Sequence, residues 1–93
     1  MHYLYILYSK STDKFYVGET YNIQDRLEKH KSHYYSNSFT NIAEDWKLQL
    51  SFACKDETDA KFLENFIKKM KSKVFIRKII DCPAILTDIL AKK

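Results

Sequence analysis

Residues 3–18, YLYILYSKSTDKFYVG, read as two short strands rich in aromatic and aliphatic residues, joined by the polar turn Ser9–Asp13. The second strand ends in Gly18, the only glycine among 93 residues. Ordinary usage would place glycine at roughly 7% of positions. A glycine kept where all others are gone marks a point at which a side chain does not fit. Centring the turn between Ser11 and Thr12 sets Tyr5 opposite Gly18 and Leu7 opposite Tyr16. Tyr3, Tyr5 and Tyr16 then share one face of the hairpin beside Gly18, whereas a slip of one residue would separate them. Tyr8 and Tyr21 crowd the same neighbourhood.

Downstream, Asn22 is a good N-cap for a helix over 23–31, with Asp25 in its first turn. At 100° per residue, Ile23, Arg26, Leu27 and His30 fall within one arc of about 100°. Ile23 and Leu27 are the large apolar residues of this helix, so they face the sheet and bring Arg26 and His30 towards it. A structural role competes with a functional one here: His30 is also a favourable last-turn cation, and Arg26 can snorkel from a border position. Residues 32–38 form a polar, aromatic-containing loop, and Thr40 or Asn41 starts a short helical turn. Trp46 to Ala53 alternates as a third strand, with Trp46, Leu48, Leu50 and Phe52 expected on one face.

Asp56 or Thr58 caps a long helix to about Lys71. Ala60, Phe62, Leu63, Phe66, Ile67 and Met70 form its apolar arc, and Glu64 stands on the border. An ordinary i,i+4 pair with Lys68, worth about 0.2–0.5 kcal/mol, is the plain reading of that glutamate. Ser72 restarts the chain as a helix over 73–80, and Pro83 sits near the start of a last one over 83–91. Val74, Phe75, Ile79, Ile80, Ile85, Leu86, Ile89 and Leu90 are expected to close over the sheet. The result is an α+β fold, a small three-stranded antiparallel sheet flanked by helices, in one domain spanning 1–93 with its core in 2–80.

Composition narrows the class. With 45% apolar and 15% aromatic residues the chain can build a core without staples. Cys54 and Cys82 lie far apart and outside any CxxC pattern, which argues against a disulfide scaffold and for a reduced, intracellular protein. The N-terminus lacks the basic region and cleavage site of a signal peptide, and no stretch approaches the ~20 apolar residues of a membrane span. A soluble cytoplasmic protein is expected, with no membrane partner. The net charge of +4 arises wholly in residues 51–93, which carry ten Lys or Arg against six Asp or Glu. Lys68, Lys69, Lys71, Lys73, Arg77 and Lys78 fall within eleven residues that contain no acid. Such a run is either a solvated face or a seat for phosphates, where neutralisation releases counterions.

Several chemistries are excluded. One glycine cannot build a phosphate-cradling loop of the Walker or dinucleotide type. His30 and His33, with Cys54 and Cys82, lack zinc-finger spacing. No acid pair suits glycoside hydrolysis, and no serine sits in a nucleophile elbow. The remaining inventory of tyrosines, an arginine, a histidine and a glutamate near basic surface suits phosphodiester chemistry. A carboxylate holds a hard divalent ion, an arginine takes up phosphate charge, and a phenol or imidazole manages protons.

The same residues resemble the GIY-YIG nuclease superfamily, in its short, single-domain bacterial form. Tyr3-Leu4-Tyr5 and, ten residues on, Tyr16-Val17-Gly18 are similar to the paired tripeptides of that family. Arg26, His30 and Glu64 follow in the family's order, so the resemblance covers roughly residues 2–80. The ordered set is much more specific than the tripeptides alone. Two departures accompany it: Tyr3 stands in place of a glycine, and residues 66–93 lack the asparagine that often follows the glutamate helix. Lys71, Ser72 and Lys73 are the candidates to replace the latter.

The resemblance implies a single Mg²⁺ or Mn²⁺ held through Glu64, with water attacking phosphorus in line. Tyr5, by position, would be the general base, with Tyr16 the other candidate. A free phenol titrates near ~10, so a phenol base at neutral pH needs a cation beside it. Arg26 would stabilise charge on the phosphate, while Tyr16 and His30 orient groups or relay protons. Gly18 would be the point where the DNA backbone or the ion comes close. The six basic residues of 68–78 would bind the nucleic acid.

The implied activity is a metal-dependent DNA endonuclease of low intrinsic sequence specificity, used in repair or recombination. Branched or damaged DNA, or a protein partner, would then supply specificity, and either a monomer or a homodimer suits the apolar surfaces. Two other classes stay open: a nucleic-acid-binding module that keeps the fold without turnover, and a structural or interaction domain.

Overall fold

The computed structural model describes residues 1–31 and 45–93, and of residues 29–31 the backbone only. The expected loop over 32–38 and the helical turn at Thr40 or Asn41 lie outside the described residues. Three strands, β1 (His2–Ser9), β2 (Lys14–Thr20) and β3 (Trp46–Cys54), form one antiparallel sheet in the order β2-β1-β3. Helix α1 (Ile23–Lys31) follows the hairpin; α2 (Glu57–Met70), α3 (Lys73–Asp81) and α4 (Ala84–Ala91) follow β3. The α+β architecture is the one expected from the sequence. Among the described residues no helix is long and apolar enough to cross a membrane.

Being central, β1 is buried on both faces, with Leu4, Tyr5, Ile6 and Leu7 all at 1% exposure or less. Its even-numbered side chains point to one face and its odd-numbered ones to the other. Leu4 and Ile6 join Val17, Cys54, Ala60, Leu63, Ile67, Ile79 and Leu86 in the larger core. Tyr5 and Leu7 join Trp46 on the opposite face, with Tyr16, Ile23 and Leu27 packed against them. Helix α1 therefore covers one face and α2–α4 the other.

The third strand departs from the expected single apolar face. Leu48 pairs with Leu7, but Leu50 pairs with Ile6, so Gln49 is an extra residue in a β-bulge. One inserted residue reverses the alternation of the strand. Trp46 and Leu48 thus lie on the α1 face, while Leu50 and Phe52 pack into the larger core. The helix arc also needs correction. Ala60, Leu63 and Ile67 are its buried stripe, whereas Phe66 is 36% and Met70 48% exposed. Val74, expected to close over the sheet, is 66% exposed in the first turn of α3, whose buried residue is Ile79.

The helix boundaries follow from local chemistry. The Asn22 carboxamide oxygen accepts from the Asp25 N–H at 3.0 Å, and the Asp56 carboxylate from the Asp59 N–H at 2.9 Å. A side-chain cap of this kind contributes about 1 kcal/mol. Ser72 Oγ accepts from the Phe75 N–H at 3.1 Å and starts α3. Between α2 and α3, Lys71 adopts a left-handed conformation (φ 47°) that usually falls to glycine. Asp13 does the same in the hairpin turn (φ 52°), a position that Asp tolerates. Both cysteines are free.

Candidate active site

The hairpin register is the one expected: Tyr5 opposite Gly18 and Leu7 opposite Tyr16. The tyrosines consequently sit side by side, with ring centroids 6.1 Å apart and planes inclined at 37°. Gly18 shows what its missing side chain makes room for. A Cβ built there would lie 2.6 Å from Tyr5 Oη and 2.7 Å from its Cζ. Its φ is not positive, so the constraint is space and not backbone freedom. The close approach expected at Gly18 from a ligand or ion is made, in the fold itself, by the Tyr5 phenol.

Tyr5 is 1% exposed, whereas Tyr16 is half-buried and stands on the edge strand β2. Ile23 and Leu27 seat α1 on this face as the helical arc requires, and Arg26 between them is half-buried. The backbone of His30 lies in the last turn of α1; its side chain is outside the described atoms.

Glu64 stands apart from the tyrosines. It belongs to α2, which packs on the opposite face of the sheet, more against β2 than any other strand. Its carboxylate accepts from Lys68 Nζ at 2.6 Å, and its side chain is 20% exposed. The i,i+4 pair is thus formed, at the border of the buried stripe. Lys68, which pairs with Glu64, lines a groove together with Tyr16 of the edge strand β2. No group of three or more His, Cys, Asp or Glu able to hold a metal occurs among the described residues. One half-buried carboxylate still fits a hydrated Mg²⁺ or Mn²⁺, which takes one or two carboxylates and completes its shell with water and substrate phosphate.

The six basic residues of 68–78 are all exposed but not uniformly available. Lys73 Nζ donates to the Asp13 carbonyl oxygen at 2.5 Å and pairs with its carboxylate at 3.1 Å. Arg77 approaches the same carboxylate at 3.6 Å and lies 5.9 Å from the Phe15 ring centroid. Tyr8 Oη donates to Asp13 at 2.6 Å, and this bond, then Lys73, holds the Asp13 carboxyl below the usual carboxylate range. Two of the six basic residues thus tie α3 to the hairpin turn, and Lys68 is paired with Glu64. Lys69, Lys71 and Lys78 form no ion pair with a described residue.

A second tie escaped the sequence reading. The Asp45 carboxylate accepts from Ser9 Oγ at 2.6 Å, Ser11 Oγ at 2.8 Å and the Ser11 N–H at 2.9 Å. These donors lower its pKa from 3.8 to about 2, the Ser9 hydroxyl contributing most. Asp45 thereby fixes the start of β3 to the far end of β1. The signal for it was faint, an acid immediately before a strand and serines in a turn.

Residues 1–78 match the family model described as the GIY-YIG catalytic domain. No curated protein and no solved structure gives a match. Since that match spans most of its length and holds both tyrosines, Gly18, the α1 face and Glu64, the chain belongs to the GIY-YIG family of nuclease domains, which act on DNA and generally depend on a divalent metal.

Proposed function

We propose that this protein is a metal-dependent DNA endonuclease that hydrolyses phosphodiester bonds with low intrinsic sequence specificity. The observation that carries the reading is the Tyr5–Gly18–Tyr16 face, which a GIY-YIG chain with one glycine has kept sterically intact. Tyr16 is the phenol we place against the attacking water, because a base must reach the proton it takes and Tyr5 is buried. Tyr5 lies behind it and holds its position, anchored over Gly18. Arg26, carried on the α1 face, takes up charge developing on the phosphate. His30, one turn later, relays or orients protons.

Glu64 is the residue we assign to Mg²⁺ or Mn²⁺, and Lys68 must release it first. Such an ion, when bound, neutralises phosphate charge as a Lewis acid. Lys69, Lys71 and Lys78 attract the nucleic-acid backbone. We place the protein in the cytoplasm, on DNA undergoing repair or recombination.

Purified protein is expected to nick supercoiled plasmid with Mg²⁺ or Mn²⁺ and to stop when the ion is chelated. Glu64→Ala and Arg26→Ala should each abolish nicking while the protein stays folded. A clean preparation that cuts no form of DNA with either ion, yet binds DNA in a salt-sensitive way, would support the binding-module reading instead.

A further inference from the structure

Beside the tyrosine face, a groove of about 420 Å³ lies between the edge strand β2 and the α2–α3 corner. Its walls include the apolar Phe15, Val17, Ile67 and Ile76. Its rim carries Lys14, Lys68, Lys71 and Lys73, and among the described residues no acid lines it. Lys68 and Lys73 have carboxylate partners outside the groove, in Glu64 and Asp13, but each ammonium has three donors. Lys71 pairs with no described residue. Tyr16 forms part of the same wall.

An apolar floor under a ring of cations is complementary to a ligand with one flat uncharged face and adjoining anionic groups. Regular duplex DNA offers a groove of this size only phosphates, since its bases are stacked and hidden. An unpaired nucleotide offers both, the base to the floor and its phosphates to the lysines. We propose that this groove binds an unpaired nucleotide of a DNA strand, so that the protein selects DNA in which single-stranded and duplex segments meet. The inference builds on the nuclease reading for its consequence, because a strand seated here passes Tyr16 and the Glu64–Lys68 pair on its way to the tyrosine face. The binding itself does not require turnover.

The test is therefore made with chelator present, so that nothing is cut. Wild-type protein with labelled backbone amides is titrated with a roughly eight-nucleotide oligothymidylate, with a blunt duplex of the same length, and with thymidine monophosphate. The oligonucleotide is expected to move the amide signals of residues 14–17 and 71–76, the duplex to move those of 14–17 far less, and the mononucleotide to need a far higher concentration. Lys71→Gly removes the unpaired charge at a left-handed position that glycine accepts, so the fold is kept. It should weaken oligonucleotide binding about fivefold and reduce the slope of log affinity against log salt by about 0.7.

The proposal is overturned if the duplex moves those amides as strongly, or if the oligonucleotide leaves them unmoved. Equal affinity for the mononucleotide, or wild-type affinity and salt slope in Lys71→Gly, would overturn it too. Oligonucleotide binding in the groove by a protein that cuts no DNA would uphold this inference and sink the nuclease reading. Cutting without groove binding would do the reverse.

Discussion

The two faces of the sheet share three strands and differ in what covers them. On one, Leu4, Ile6 and Val17 lie under α2, α3 and α4, in a core of aliphatic residues with almost no exposure. On the other, Tyr5, Leu7 and Trp46 meet, among the described residues, the short helix α1, which brings Arg26 along with its apolar residues. The first face gathers most of the buried apolar residues among those described, and each fully buried leucine or isoleucine there contributes about 1.5–3 kcal/mol. The second gathers polar groups that a folding argument alone would not select. Stability and chemistry are thus divided between opposite sides of one layer, and residues adjacent in β1 serve different ends.

Substitutions on the two faces should separate accordingly. The largest effect on stability is expected from Leu63→Ala, which empties a fully buried position of α2 beneath the sheet. It should cost about 2–5 kcal/mol, measured by urea unfolding, while the fraction that stays folded cuts at the normal rate. Gly18→Ala tests the other face. Its Cβ has nowhere to go without moving the Tyr5 ring, so about 1–3 kcal/mol of overpacking is expected. Cleavage should fall more than stability does. Tyr5→Phe should not rescue it, because the clash also involves Cζ and Cε1, at 2.7 and 2.9 Å.

A smaller effect concerns the seam that aligns both faces, where Asp45 ties Ser9 and Ser11 to the start of β3. Its folded pKa is depressed to about 2 from 3.8, so it stabilises the protein fully above the unfolded value. That contribution is lost as the pH falls through the interval down to about 2. Melting temperatures recorded from neutral pH down through that interval should therefore drop for the wild type. In Asp45→Asn the drop should be shallower, from a lower starting point.

The parts of this architecture carried by local pattern were legible in the chain. The hairpin register follows from a short polar turn between two apolar runs, and α1 from Asn22 followed by a 3.6-residue period. What was not legible depends on distant partners. The alternation Trp46, Leu48, Leu50, Phe52 reads as one face, because the bulge at Gln49 arises only when Trp46 must serve the α1 side and Phe52 the other. Phe66 and Met70 belong to the apolar arc of α2, yet its fully buried apolar residues are Ala60, Leu63 and Ile67, since three helices share that face. For the site, the sequence showed that a side chain was forbidden at Gly18 but not that the Tyr5 phenol forbids it. It also could not show that Lys73 and Arg77 are tied to Asp13, some sixty residues away.

The division of labour between the faces is tested most directly by two variants of neighbouring positions in β1 and β2. Plasmid nicking with Mn²⁺ and thermal melting are measured on Tyr5→Phe/Tyr16→Phe, which keeps both rings and removes both hydroxyls, and on Leu4→Val, which trims the opposite face. The account predicts that the double variant loses nicking while still folded at the assay temperature, whereas Leu4→Val melts earlier and, below its transition, nicks normally. Nicking at the wild-type rate by the double variant, or its loss in folded Leu4→Val, would contradict it.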